Sequence, residues 1–279
     1  MKDKLTLIFG SSVHRKFECF LDLYKGVRKF YGDPLYLYAS NEGLGQPSGN
    51  LVNIKARRSY RWRRSHNFIF DAAEALKGRY YDYFIALDSD CLVCGDSIKE
   101  FLNDNNIDFV VYPNLNGIGK WYHGNVFMQN IGHYLGILEA IGIKRRDETV
   151  VGNFNPLIML SKRSVDFLRD NLEKIEASKG YEELMKLDFS VGETLIFNLL
   201  KDAGFKMAYI ELELKRGLRY RPHWRVSEYS ANIPIYHPVR LKSRDLFRRF
   251  VGIRCGYDKN YLYLPLIYAA RLYGKVRSL

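Results

Sequence analysis

Cysteine is scarce in this chain: Cys19, Cys91, Cys94 and Cys255 are the four in 279 residues. Four cysteines over that length do not build a disulfide framework, and their scarcity points to the reducing cytosol. Long apolar runs are missing too. No stretch approaches the roughly 18–20 uninterrupted apolar residues of a membrane-spanning helix. The opening MKDKLTLIFG has too few apolar residues before Gly10 to form the core of a secretory signal. Internal repeats and low-complexity segments are absent, which excludes a repeat architecture. What remains is an ordinary globular composition, 47% hydrophobic and 27% charged. Its length suits one large domain, or one domain with an appendage.

What the chain does have in excess is positive charge and aromatic rings. The formal net charge is +12, and 15% of residues are Phe, Trp or Tyr. The charge is uneven: from Arg240 to the end there are ten basic residues and two acids, Asp245 and Asp258. A second cluster, Lys55 to Arg64, holds six basic residues and no acid. Such patches attract phosphates, whether of nucleotides, nucleic acid or anionic lipid.

Apolar patterning alternates between element types. LTLIF (5–9), PLYLYA, YDYFIAL (81–87), IDFVVY (107–112), PLIML (156–160) and FKMAYIEL read as strands. Helical stripes run over 15–30 and 60–77, over DSIKEFLND with Asp96 as its cap, over SVDFLRDNLEKIEAS, and over VGETLIFNLLKDAG closed by Gly204. The order predicts an α/β fold, a mainly parallel sheet with helices on both faces. Ligands of such sheets bind beyond the carboxyl ends of the strands.

At one of those ends stands the sharpest feature, FIALDSDCLV. In extended chain, residues two apart face the same side, so Asp88 and Asp90 would repel unless a cation or a wet cleft separated them. Hard oxygen ligands suit Mn²⁺ or Mg²⁺, which keep positions open for phosphate oxygens. The alternative is a solvated turn in which the acids cap the next loop.

YYDYFIALDSDCLVCGD resembles the D-x-D region of the metal-dependent GT-A glycosyltransferases, and other segments follow in that family's order over roughly residues 4–240. The resemblance implies a Rossmann-like GT-A sheet, a nucleotide-sugar donor and a divalent cation, Mn²⁺ or Mg²⁺. Asp90 matches the motif position that ligates metal directly; Asp88 matches the one that reaches metal through water or binds ribose. IPIYHPVR resembles the late histidine that completes the metal site, here His237. LTLIFGSS matches the opening nucleotide-binding strand, which assigns Phe9 and Ser11, with Ser89 of the D-S-D, to the donor. VGNFNPLIML matches the donor-side strand and assigns Asn155 to the sugar pocket. DFSVGETLIF matches the acceptor-side helix. Glu193 is then the candidate general base of an inverting transfer, with Asp188 in reserve; otherwise Glu193 complements the helix dipole. Arg58 and Arg64 are candidates for the diphosphate, or else a solvated helix start.

The segment 113–130 reads as a flexible glycine-containing loop whose Trp121, Tyr122 and His123 either bind sugar rings or anchor the loop. Cys91-Leu-Val-Cys94 lacks a second pair for zinc and reads as core. Two other functions fit the residues less well. A sugar-phosphate nucleotidyltransferase would carry a glycine-rich basic loop after the first strand, where this chain has FGSSVHRKF. A basic nucleic-acid-binding protein would leave the two aspartates and the His-Pro pair unexplained.

The chain accordingly divides into a glycosyltransferase-like domain, 1–239, and a basic aromatic extension, 240–279. In the extension, RDLFRRFVGIR (244–254) separates basic from apolar residues on a helix, and Pro265 interrupts the apolar stretch after it. Such a segment lies in the headgroup plane of an anionic membrane, as a peripheral enzyme at the inner face acting on a glycan or lipid-linked acceptor would require. The alternative is that it folds back over the catalytic domain.

Overall fold

The computed structural model describes residues 5–13, 17–40, 50–60, 64–111, 121–153, 156–210, 224–237, 239, 246–256, 262 and 264–276. Their centre is a seven-stranded sheet of order β3-β2-β1-β4-β7-β6-β8, made of β1 (Leu7–Val13), β2 (Tyr36–Ser40), β3 (Leu51–Asn53), β4 (Tyr83–Leu87), β6 (Phe109–Val111), β7 (Leu157–Ser161) and β8 (Met207–Tyr209). Neighbours pair in parallel except β7, which runs antiparallel to both β4 and β6. This is the mainly parallel, helix-flanked α/β sheet that the alternating pattern predicts. β1, β4 and β7 are buried nearly throughout, as strands covered on both faces must be. Antiparallel pairing of β7 puts its first residue, Leu157, opposite the last residue of β4, Leu87. The segment leading into β7 therefore reaches the same sheet edge as Asp88.

Two apolar cores fill the faces. On one, α1 (Phe17–Tyr31) lays Phe20, Leu23, Tyr24 and Val27 against Phe9, Tyr36 and Ile85. On the other, α2 (His66–Ala75), α5 (Ile131–Ala140), α6 (Lys162–Ala177), α7 (Lys179–Lys186) and α8 (Leu195–Asp202) pack on Ile8, Phe84 and Leu160. Gly26 explains how closely α1 approaches: a Cβ there would lie 2.7 Å from the carbonyl oxygen of Val93. Val93 belongs to β5 (Leu92–Val93), which pairs antiparallel with β9 (Ile235–Tyr236) in a separate two-stranded ladder.

The structure departs from the sequence reading in several places. β3 and the β5–β9 ladder are two or three residues long, too short to show a period. Asp96 precedes α3 (Ser97–Asn105) but makes no side-chain cap hydrogen bond; its carbonyl accepts from Lys99 N at 2.9 Å instead. The loop expected over 113–130 contains α4 (Tyr122–Gln129), while 112–120 lie outside the described residues. Gly124 concealed that helix by its poor propensity, and it is needed, because a Cβ there would overlap the Trp121 ring. Pro265 does not interrupt the extension; it occupies the first turn of α10 (Leu264–Val276), where a missing N–H costs nothing.

The extension begins with α9 (Leu246–Arg254), whose Phe247, Phe250 and Val251 are buried. Phe247 stacks on Trp224 and meets Tyr236 edge-on, and Phe250 meets Tyr229 edge-on. The apolar side expected to face lipid is thus packed against the segment that carries β9, as the fold-back alternative requires. α10 leaves Leu266, Tyr268 and Leu272 exposed, with Leu262 just before it. Among the described residues, no helix is long and apolar enough to cross a membrane.

Candidate active site at the strand edge

Asp88 follows the last residue of β4. Its N–H donates to Pro156 O (3.1 Å), and its carbonyl accepts from Cys91 N (2.9 Å). A tight turn over 88–91, not extended chain, therefore brings the two carboxylates together. The short ladder then does the rest. Leu92 pairs with Tyr236, and beyond that pair Val239 N donates to the Asp90 carbonyl at 2.8 Å. His237 is thereby held over the turn, with Nε2 3.4 Å from Asp88 and 3.2 Å from Asp90. One ligand atom from each of the three lies within 4.8 Å of the others. Asp90 and His237 are buried; Asp88 is half-buried. The sequence motif and its distant histidine thus converge on one point.

Burial alone would lower the affinity of His237 for a proton. Hydrogen bonds to Asp88 and Asp90 and their charges outweigh it and raise the pKa to about 9. At neutral pH an imidazolium therefore bridges the two carboxylates. Two hard carboxylates and one imidazole are a donor set suited to Mn²⁺ or Mg²⁺ with phosphate oxygens completing the shell. The buried Ser89 hydroxyl between the aspartates has no hydrogen-bond partner among the described residues, a polar atom left over in the same turn.

Glu193 ends a 3-10 turn (Val191–Glu193) before α8. Burial raises its pKa to about 7; Trp121 and Ser190 partly offset this, and the negative charge of Asp88 adds to it. Trp121 Nε1 donates to Glu193 Oε2 at 3.4 Å, and His123 Nε2 lies 4.0 Å from Oε1. Ser190 N donates to His123 Nδ1 at 3.0 Å, which leaves the neutral ring's proton on Nε2. Trp121 is wedged against Gly124 and Gly152, where any Cβ would overlap it. Its ring is therefore anchored, and its indole N–H serves the carboxylate. Tyr122 is exposed, its hydroxyl donating to Asp188 O at 3.2 Å; Asp188 itself is exposed.

Asn155 lies outside the described residues. Two positions earlier, the fully buried Asn153 ties the parts together: its N–H donates to Glu193 O (3.0 Å) and its side chain donates to Leu157 O (2.9 Å). Gly152 permits the approach, since a Cβ there would lie 2.6 Å from Glu193 O; a lone glycine before an Asn was the one trace of it in the sequence.

Other candidates have structural partners. The Phe9 ring is fully buried against Tyr31 and Tyr36, core rather than a face open to a nucleotide. Ser11 donates to Leu87 O (2.6 Å) and lies 2.7 Å from Tyr36 Oη, inside the sheet. Arg58 is gripped by Asp71, Glu74 and Glu176. Arg64 donates to the carbonyl of Met185. Both arginines brace α2 against its neighbours, so the diphosphate role expected of them finds no support. Cys91 is buried and the half-buried Cys94 thiol contacts Cys255, the residue after α9; all are free thiols.

No family model matches the chain, and no curated protein matches it in sequence. Its structure is similar to the crystal structure of the glycosyltransferase GlyE of Streptococcus pneumoniae TIGR4, with a TM-score of 0.40 and 12% identity. The similarity covers 75% of this chain and 46% of that one, so the chain spans less than half of that protein.

A histidine must lose its proton to ligate metal. Mn²⁺ uptake at Asp88, Asp90 and His237 is therefore expected to release close to one proton at pH 7. Apparent affinity should rise toward a plateau above pH 9. Calorimetric titration in buffers of different ionisation enthalpy measures both.

Proposed function

We propose that the chain is a metal-dependent glycosyltransferase. It would move a sugar from a nucleoside-diphosphate donor, a UDP-sugar by family preference, to a glycan or lipid-linked acceptor with inversion. The observation that carries this reading is the convergence of Asp88, Asp90 and His237 at a strand edge with Glu193 close enough to feel the charge of Asp88. A divalent cation there supplies charge to the diphosphate as it leaves. The remaining work falls to the chain's own residues. Asp90 and His237 are buried and preorganised, which favours a fixed charge site over a flexible one. Glu193 is a carboxylate whose burial raises its proton affinity toward neutrality, as a base that must take a hydroxyl proton requires. Trp121 orients it by holding Oε2.

The ionised form of Glu193 is the base, and protonation below about pH 7 removes it. Turnover of a nucleotide sugar should fall about tenfold per pH unit below that point. Glu193→Gln should remove this limb and lower kcat by about 10²–10⁴-fold, with donor KM little changed. Full activity in that variant would move the base elsewhere. Asp90→Asn should abolish metal-dependent turnover with the fold intact.

A lipid-borne acceptor accords with the extension. α9 is packed down, so the surface left for a membrane is the exposed Leu262, Leu266, Tyr268 and Leu272, on a segment that also contains Arg271 and Lys275. Leucine and tyrosine beside cations match the interface of an anionic bilayer. Co-sedimentation with phosphatidylglycerol-containing vesicles is expected for the full chain at low salt, and to fall at least fivefold in Leu266→Ser/Leu272→Ser. Equal sedimentation of the two would remove α10 from the membrane.

A further inference from the structure

The buried arginine of the extension, Arg248, has no role in the reading above. It is 2% exposed and heads the largest fully buried side chains. A guanidinium stays charged under all ordinary conditions, and taking it out of water costs several kcal/mol unless partners replace the water. Its partners come from two separate parts of the chain. On α1, Nη1 donates to the Asp22 carboxylate (3.0 Å) and to Cys19 O (3.3 Å). On the other side, Nη2 donates to the carbonyl of Val239.

Val239 is the residue whose own N–H donates to Asp90 O, and it lies two positions after His237. The peptide units around it are thus held from both directions, by the D-S-D turn through the N–H and by Arg248 through the carbonyl. Val239 and Tyr236 also share a buried apolar cluster with Phe247 and Val251 of α9, but apolar contact does not fix the direction of a peptide group. The β5–β9 ladder is two residue pairs long, and a pairing that short has little stability of its own. The charge of Arg248 is also felt at Cys91, the residue after Asp90, so the guanidinium sits close behind the turn.

We propose that Arg248 is the positioning residue of the Asp88–Asp90–His237 group. It fixes Val239 against α1 so that the nearby His237 imidazole is presented to the two carboxylates. The inference rests on the reading of that group as a cation site, and it makes α9 part of the active site's framework. An extension whose composition suggests a membrane surface or a fold-back helix thereby becomes part of what positions His237.

The test compares Arg248→Met, Arg248→Lys and Asp22→Asn in the full-length chain. The first readout is Mn²⁺ affinity in the presence of UDP, followed by electron paramagnetic resonance well below each variant's unfolding temperature. Partners that orient metal ligands typically contribute 10–100-fold in affinity. A loss of at least tenfold is expected in Arg248→Met, and a smaller loss in Arg248→Lys, whose single ammonium cannot reach acceptors on both sides as the guanidinium fork does. Asp22 is partly exposed, and Asp22→Asn keeps the arginine while removing its charge partner. It should fold if Arg248→Met does not, with affinity lowered about threefold or more.

The second readout needs no metal: amide hydrogen exchange at Val239. It should accelerate at least tenfold in Arg248→Met or, failing that, in Asp22→Asn, while β4 amides stay protected. A purely stabilising role would lower the unfolding temperature and leave both readouts at wild-type values, which overturns the proposal. If the wild-type chain takes up no Mn²⁺ with UDP, the cation reading fails. The exchange result then decides the role of Arg248 alone.

Discussion

Two carboxylates at the end of a buried strand will not stay together without positive charge between them. Asp88 and Asp90 face each other across a four-residue turn, and His237, brought in from the far end of the chain, bridges them. Much of the architecture at this edge serves that encounter. β4 delivers the turn, antiparallel β7 delivers Pro156 to accept its first N–H, and the β5–β9 ladder delivers the histidine. Burial disfavours the imidazolium, but the hydrogen bonds and charges of the two aspartates outweigh it and raise the His237 pKa to about 9, so the site favours a cation. Protein alone meets that demand with a proton; a divalent ion would meet it with more charge and with open positions for phosphate.

The parallel sheet and the two aspartates were legible in the sequence because both depend on local signals. Buried strands read as short apolar runs, and an acid pair directly after one is conspicuous. His237 was legible only by its resemblance to a known order of motifs; its contact depends on a ladder of two residue pairs, which leaves no periodic trace. Glu193 stood out as an acid at a helix start, but its burial beneath Trp121 did not. The partners of the arginines were not legible. Arg58 and Arg64 form part of a cluster of six basic residues, which reads as a phosphate patch. In the fold, Asp71, Glu74 and Glu176 converge on Arg58 from α2 and α6, partners up to 118 residues away in sequence. Charge clusters are visible in one dimension, whereas the counter-charges that neutralise them need not be.

Glycines conceal their neighbours in another way. Gly124 suggests flexible loop, yet it and Gly152 make room for the same indole ring. A glycine that admits a neighbour's side chain and one that loosens a chain look alike in sequence. The extension shows the same limit. Its alternation of basic and apolar residues fits a helix on a membrane or a helix on protein equally well, and the three-dimensional partners of Phe247 and Phe250 decide for protein in α9. α10, with leucines exposed, keeps the other option.

The central claim is that Asp88, Asp90 and His237 share one divalent cation with a nucleoside diphosphate. Crystals grown with Mn²⁺ and UDP, measured at the manganese absorption edge, test it most directly. The account predicts an anomalous peak within ligating distance of Asp90, His237 and the diphosphate, with Asp88 bound directly or through water. A fully ordered UDP with no anomalous peak between these three residues, or a peak elsewhere in the chain, would contradict it.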